Sequence, residues 1–201
     1  MKQMTMIAVL AAGSIAAGMA QAQATVGQAA PAFTGVDAAG KAVSLADYKG
    51  KYVVLEWVNP DCPFVKKHYD SGNMPATQKH ALGKDVVWLS VNTSAKGAAD
   101  PKVAPALNGW VKDKGAVPTA LVVDDGRIGR AYGAKTTPQI FLIDPAGRIV
   151  YNGAIDSKPS ANAADIAGAT NYATQAIDEA KAGKPITKPL TQPYGCSVKY
   201  G

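Results

Sequence analysis

Cys62 and Cys196 are the only cysteines in the chain, and Cys62 sits where a thiol becomes reactive. It lies in the stretch Trp57-Val58-Asn59-Pro60-Asp61-Cys62-Pro63-Phe64-Val65-Lys66-Lys67-His68, directly after the apolar, β-branched run Tyr52-Val53-Val54-Leu55. The apolar run predicts a buried strand, and Pro63 suits the first turn of a helix. A cysteine at a helix N-terminus meets the positive end of the helix dipole and free backbone N–H groups. Both stabilise the thiolate, which is the nucleophilic form. Lys66 and Lys67, one turn on, add positive charge, whereas Asp61 opposes it. The alternative is an inert cysteine packed as a small hydrophobe.

The other chemistry-bearing side chains are sparse. His68 and His80 are the two histidines, and one Cys with one His falls short of a zinc or copper ligand set. No metal and no cofactor is expected, and both histidines read as surface residues. Trp57 and Tyr69 read as core or rim, and Asp156 as a loop or helix-cap residue. Asn92-Thr93-Ser94 fits the N-glycosylation tripeptide, a pattern that also arises by chance.

These residues need elements to hold them. Two short runs around Ala39-Gly40-Lys41 predict an N-terminal hairpin, followed by a strand over residues 52–58. The helix after Cys62 should break at Asp70-Ser71-Gly72-Asn73 and restart at Pro75, ending near Gly83. A second buried strand covers residues 85–92. A helix opens at Asp100-Pro101 and runs to about Lys114, with Leu107, Trp110 and Val111 facing the core. An apolar run at 119–124, a helical turn at 128–132 and the hairpin 139–143/148–153 follow. A closing helix is expected over residues 163–182, with Ile166, Ala169, Ala173, Ile177 and Ala180 on one face. Strands alternating with helices, then a hairpin, indicate an α/β layer fold with a mixed sheet.

Of the 201 residues, 47% are hydrophobic and 18% charged, which suits one domain with a real core. The net charge of +6 is spread out, and no basic stripe is interleaved with aromatics, so no nucleic-acid partner is expected. A charged start, an apolar small-residue run from Met6 to Met19 and the patterns Ala20-Gln21-Ala22 and Ala22-Gln23-Ala24 read as a secretory leader cut after Ala22 or Ala24. The run is too short for a stable membrane anchor, which needs about 20 apolar residues. The expected organisation is a signal peptide over 1–24, a domain over 25–183 and a tail over 184–201 that carries Cys196. The expected location is periplasmic or secreted, where cysteine pairs are oxidised.

Thr136-Thr137-Pro138, immediately before the run Gln139-Ile140-Phe141-Leu142-Ile143, resembles the thioredoxin fold's threonine and cis-proline beside the reactive cysteine. The hairpin lead-in resembles the alkyl hydroperoxide reductase/thiol-specific antioxidant branch of redoxins. Cys62-Pro63-Phe64-Val65 and the tail Gly195-Cys196-Ser197 resemble an exported subgroup of it. The resemblance implies a thioredoxin-like central mixed sheet flanked by helices, with an N-terminal hairpin and a C-terminal tail. It further implies a nucleophilic Cys62, a cis Thr137–Pro138 bond, and a substrate-facing surface formed by Thr137, Pro138, Pro63 and Phe64. The partner is then a thiol or disulfide protein, or a small oxidant.

The departures narrow the mechanism. A dithiol site needs a second cysteine where this chain has Val65, and a peroxiredoxin site needs a hydroxyl and a proline where it has Asn59 and Leu55. The tail offers a replacement. Twelve residue steps from Lys184 to Cys196 span about 40 Å when extended, comparable to the domain's width of roughly 40 Å. Cys196 can thus reach Cys62 and resolve a mixed disulfide. Three readings follow: thiol–disulfide exchange, a thiol peroxidase, and a non-catalytic binding module stapled by a permanent Cys62–Cys196 bridge.

Overall fold

The computed structural model describes residues 24–94 and 103–200. All but the last residue of the expected leader over 1–24, and the expected Asp100-Pro101 helix start, lie outside them. Seven strands form one mixed sheet: β1 (Thr34–Asp37), β2 (Ala42–Ser44), β3 (Tyr52–Trp57), β4 (Val86–Thr93), β5 (Ala120–Asp124), β7 (Gln139–Ile143) and β8 (Ile149–Gly153). Their order is β2-β1-β5-β4-β3-β7-β8. β3 pairs parallel with β4, and β4 with β5, while β7 runs antiparallel to β3, and β1 to β5. The two hairpins, β1–β2 and β7–β8, form at the sheet's edges as the turn residues predict. Outside this sheet, β6 (Thr136–Thr137) pairs with β9 (Cys196–Ser197).

The central strands are apolar on both faces because both are covered. One face carries Val54, Val58, Trp88, Leu121 and Leu142 and packs with residues of α1 (Pro63–Asp70), α2 (Asn73–Gly83), α3 (Val103–Asp113) and α5 (Tyr172–Lys181). The other carries Val53, Leu55, Trp57, Leu89 and Phe141, covered by Ile128 and Tyr132 of α4 (Arg127–Tyr132), by Ala24 and Phe33, and by Val198 of the tail. This is a thioredoxin-like α/β fold. Trp57 is core, as its sequence setting indicates, and so is Tyr69.

Two expectations are corrected. The closing helix is not continuous over 163–182. A 3-10 helix, Ala163–Gly168, ends before a short linker, and α5 begins only at Tyr172. Asn171 stops continuity: its side chain accepts a hydrogen bond from Thr174 N and caps α5. Asn162 caps the preceding turn in the same way. Ile166 and Ala169 therefore lie outside the buried face formed by Ala173, Ala176, Ile177 and Ala180. The second correction concerns His68, which is completely buried rather than on the surface. His80 is half-buried and bonded to Asp178 at 2.7 Å. The glycosylation tripeptide is closed off, since Asn92 is buried and its amide donates to the Val58 carbonyl at 3.0 Å.

Candidate functional site: a cysteine pair closed by the tail

β3 carries the chain to Val58, whose N–H still bonds Val91 on β4. The next residues form a turn: Asp61 N donates to the Asn59 side chain at 2.9 Å, and Cys62 N to the Asn59 carbonyl at 3.0 Å. Cys62 then occupies the N-cap of α1, with extended backbone and Pro63 in the first helical turn. The Cys62 side chain makes no capping hydrogen bond, which leaves the first N–H groups of α1 directed at a thiolate.

Facing Cys62 is the loop between α4 and β7. The Asp124 carboxylate accepts from Ile128 N and Gly129 N and fixes the start of α4. The Gln139 side chain then accepts from Lys135 N at 2.8 Å and holds the segment before Pro138. The Thr137–Pro138 peptide is cis. The Cys62 sulfur lies 3.0 Å from the Thr137 carbonyl oxygen.

Cys62 and Cys196 form a disulfide, with their Cα atoms 5.9 Å apart. The tail thus lies across the site as a strand: Cys196 pairs antiparallel with Thr137, and Ser197 with Thr136. Thr137 and Pro138 are consequently buried, while Pro63 stays exposed and Phe64 half-buried. Gly195 permits the approach. Its φ is +133°, and a Cβ there would overlap the Thr137 carbonyl. The Thr137 hydroxyl is the one buried side-chain oxygen among the described residues without a hydrogen-bond partner.

Further contacts hold the tail on both sides of Cys196. Asn152 of β8 donates to the Pro189 carbonyl and accepts from Thr191 N. Past the cysteine, Val198 N bonds the Lys135 carbonyl, and the Tyr200 hydroxyl donates to the Ala134 carbonyl. Tyr194 enters a buried polar cluster that sequence reasoning missed. Its hydroxyl donates to Asp156 Oδ1 and lies 3.1 Å from His68 Nε2. Lys67 Nζ bonds Asp156 Oδ2 at 3.3 Å and the Lys158 carbonyl at 2.9 Å. Lys67 is therefore not a free charge near the thiol: its side chain is fully buried and paired, leaving Lys66 as the solvent-facing cation. Asp156 is a loop residue, as expected, but its carboxylate is also the hub of this cluster.

Asn73 donates to His68 Nδ1 at 2.8 Å, which places the ring proton on Nε2, facing Tyr194. Burial pulls the His68 pKa down to about 4, with Lys67 adding to the effect and Asp156 opposing it. Burial pushes the Tyr194 hydroxyl well above its usual range, reinforced by its bond to the Asp156 carboxylate. His68 is therefore neutral, and Tyr194 protonated, at neutral pH.

Glu56, six residues before Cys62, is also fully buried. It receives hydrogen bonds from Tyr69, Trp88, Ser90 and Gln78. Burial raises its pKa, and these donors draw it back. The alternating pattern along β3 could have located it, since positions 54, 56 and 58 share one face and 56 is the polar member.

Residues 26–152 match the AhpC/TSA family. The thiol-disulfide oxidoreductase ResA of Bacillus subtilis is 30% identical over 124 residues, covering 62% of this chain and 64% of that protein. The chain thus spans somewhat under two thirds of that relative. Peroxiredoxin-2 of Pongo abelii is 30% identical over 184 residues, covering 85% of this chain and 100% of that protein. Among solved structures, the thioredoxin domain of a thiol-disulfide oxidoreductase from Bacteroides vulgatus aligns with a TM-score of 0.50 at 28% identity, covering 64% of this chain and 87% of that one.

Proposed function

Because the chain belongs to the AhpC/TSA family, we propose that it is an exported redoxin that exchanges thiols and disulfides through Cys62, with Cys196 as the resolving thiol. The observation that carries this reading is the tail strand laid along Thr137 with its cysteine bonded to Cys62, the geometry of a mixed disulfide resolved from within. In the reduced protein, the Cys62 thiolate attacks a substrate disulfide, forms a mixed disulfide and expels one substrate thiolate. The Cys196 thiolate then attacks the Cys62 sulfur and expels the second. The substrate gains two electrons and the pair becomes the closed disulfide. An external dithiol returns the electrons. Thr137, Pro138, Pro63 and Phe64 form the surface that meets the substrate strand. ResA's name as a thiol-disulfide oxidoreductase supports the same chemistry.

Export supplies the oxidising surroundings, and we place the cut after Ala22. Ala24 packs into the core with Val198 and Tyr132, so a cut beyond it removes a buried residue. Intact-mass measurement of the secreted protein checks this.

Peroxide reduction is the second reading, favoured by the likeness to Peroxiredoxin-2. Against it, Asn59 stands where a hydroxyl would hold the peroxide, and its side-chain oxygen already accepts from Asp61 N. One assay separates the readings. The full chain, Cys62→Ser and Cys196→Ser are given a dithiol donor with either a protein disulfide or hydrogen peroxide. Turnover of the disulfide that disappears in Cys62→Ser, with mixed disulfide accumulating in Cys196→Ser, supports exchange. Turnover of peroxide alone supports the rival. Turnover of neither leaves the stapled binding module.

A further inference from the structure

The tail shows what the site accepts. Tyr194 lies two residues before Cys196, just ahead of the bend at Gly195 that leads into the Cys196–Ser197 strand, and its ring fills a recess formed by Phe64, Lys67, His68 and Asp156. The Phe64 ring meets it edge-on, centroids 5.9 Å apart, and the Lys67 ammonium lies 5.6 Å from its centroid. At the base, the hydroxyl finds an acceptor in Asp156 and a donor in His68 Nε2. Lys67, His68 and Asp156 are each at most 3% exposed. They come from α1 and from the loop after β8, so the main domain builds the recess and the tail only occupies it. One residue on, Gly195 crosses the Thr137 carbonyl where no Cβ fits.

We infer that this recess is a substrate subsite selective for a tyrosine two residues before the reactive cysteine of a polypeptide that bends at a glycine between them and pairs with Thr137 from the cysteine on. The inference rests on the exchange reading above. When the pair is reduced and the tail lifts, an incoming strand pairs with Thr137 in the register Cys196 now uses. Its tyrosine then enters between Phe64 and Lys67. Phenylalanine keeps the ring contacts but leaves Asp156 and His68 without the hydroxyl. A polar site built for a hydroxyl disfavours the analogue lacking it. Alanine loses both. The protein's own Tyr194 is therefore a competitor, and the closed tail is the site filled by its own substrate mimic.

The test uses a ten-residue peptide with the sequence of positions 191–200, its cysteine activated as a thiopyridyl disulfide. The Cys62 thiolate attacks the peptide sulfur, a Cys62–peptide disulfide forms, the peptide–thiopyridyl bond breaks, and pyridinethione leaves and is counted. Companion peptides carry phenylalanine or alanine in place of the tyrosine, or alanine in place of the glycine. Full-length Cys196→Ser and the double variant Tyr194→Ala/Cys196→Ser are compared. Each rate is divided by that variant's own rate with a small thiopyridyl disulfide, which corrects for altered folding or thiol reactivity. The expected order is tyrosine over phenylalanine over alanine, with at least about a tenfold span, and the glycine-to-alanine peptide slow. In the double variant, whose recess is empty, the tyrosine peptide gains most, the phenylalanine peptide less and the alanine peptide least. Equal normalised rates for all peptides in both variants, with the small disulfide reacting, overturn the subsite and leave exchange intact. No reaction of Cys62 with peptide or small disulfide overturns both.

Discussion

At the scale of single residues, the site joins one legible feature to several hidden ones. Cys62 is legible because its setting is local: a β-branched run, a cysteine and a proline within a dozen positions. The cluster around Asp156 is not, because it is assembled from positions 89 apart for Lys67 and 38 apart for Tyr194. No periodicity links such residues, and a lysine and a histidine in a polar-looking helix default to solvent. Their burial has a measurable consequence. Asp156→Ala strands the buried Lys67 ammonium, and breaking a buried pair from one side costs about 3–5 kcal/mol. Urea unfolding of the oxidised protein, with the tail closed, should show a loss of that order. Thr137 gives a prediction of the opposite sign. Its hydroxyl is buried without a partner in the closed form. Thr137→Val keeps the β-branched shape and removes that cost, about 1 kcal/mol at the low end. The closed disulfide becomes harder to reduce, and redox titration should place the variant's potential about 20 mV below wild type.

At the scale of elements, the hairpins, the strand-to-helix junction and the Thr137–Pro138 loop were readable, since turn residues and apolar runs mark them. The break in the closing helix is harder to see. A run rich in alanine suggested continuity, while the Asn171 cap that divides it was present in the sequence. The tail's length shows that it can reach Cys62, but nothing in its sequence marks the contacts that hold it at 189–191 and at 196–198. Gly153 shows how close it lies: a Cβ there would run into the backbone of Thr191. Gly153→Ala should therefore lift the 189–191 strap, visible as faster amide hydrogen exchange at Thr191 and Val198. His68 gives a pH test of the tail's anchor. Its pKa is near 4 in the folded chain and 6.5 when free. The unfolded state binds the extra proton between those values. Stability is thus complete above about pH 6.5 and declines as pH falls towards about 4. Glu56 acts in the opposite direction, because its raised pKa removes stability as pH rises from about 4.5. The comparison is therefore made against His68→Gln, which keeps a donor and an acceptor but does not titrate. Urea midpoints at pH 7 and pH 4.5 should differ more in wild type than in the variant.

At the scale of the whole molecule, the disulfide does two things that pull in opposite directions. It joins residues 134 apart. On the loop-entropy model, closing a loop of that size stabilises the fold by about 5 kcal/mol. The strand pairing, Val198 and the Tyr194 anchor add to that hold. Against it stand the uncapped N-terminus of α1, which favours the Cys62 thiolate in the reduced state, and the unpaired Thr137 hydroxyl in the oxidised one. The balance separates a redox pair from a staple, and the reduction potential of the Cys62–Cys196 pair measures it directly. Equilibrating the full chain against dithiol buffers and counting free thiols gives that value. The exchange account predicts a potential above about −300 mV, within the range of proteins that pass electrons through cysteine pairs, and reversible release of the tail. A potential well below about −300 mV, with the tail still closed under strong dithiol, would contradict it and leave the disulfide as a structural bridge.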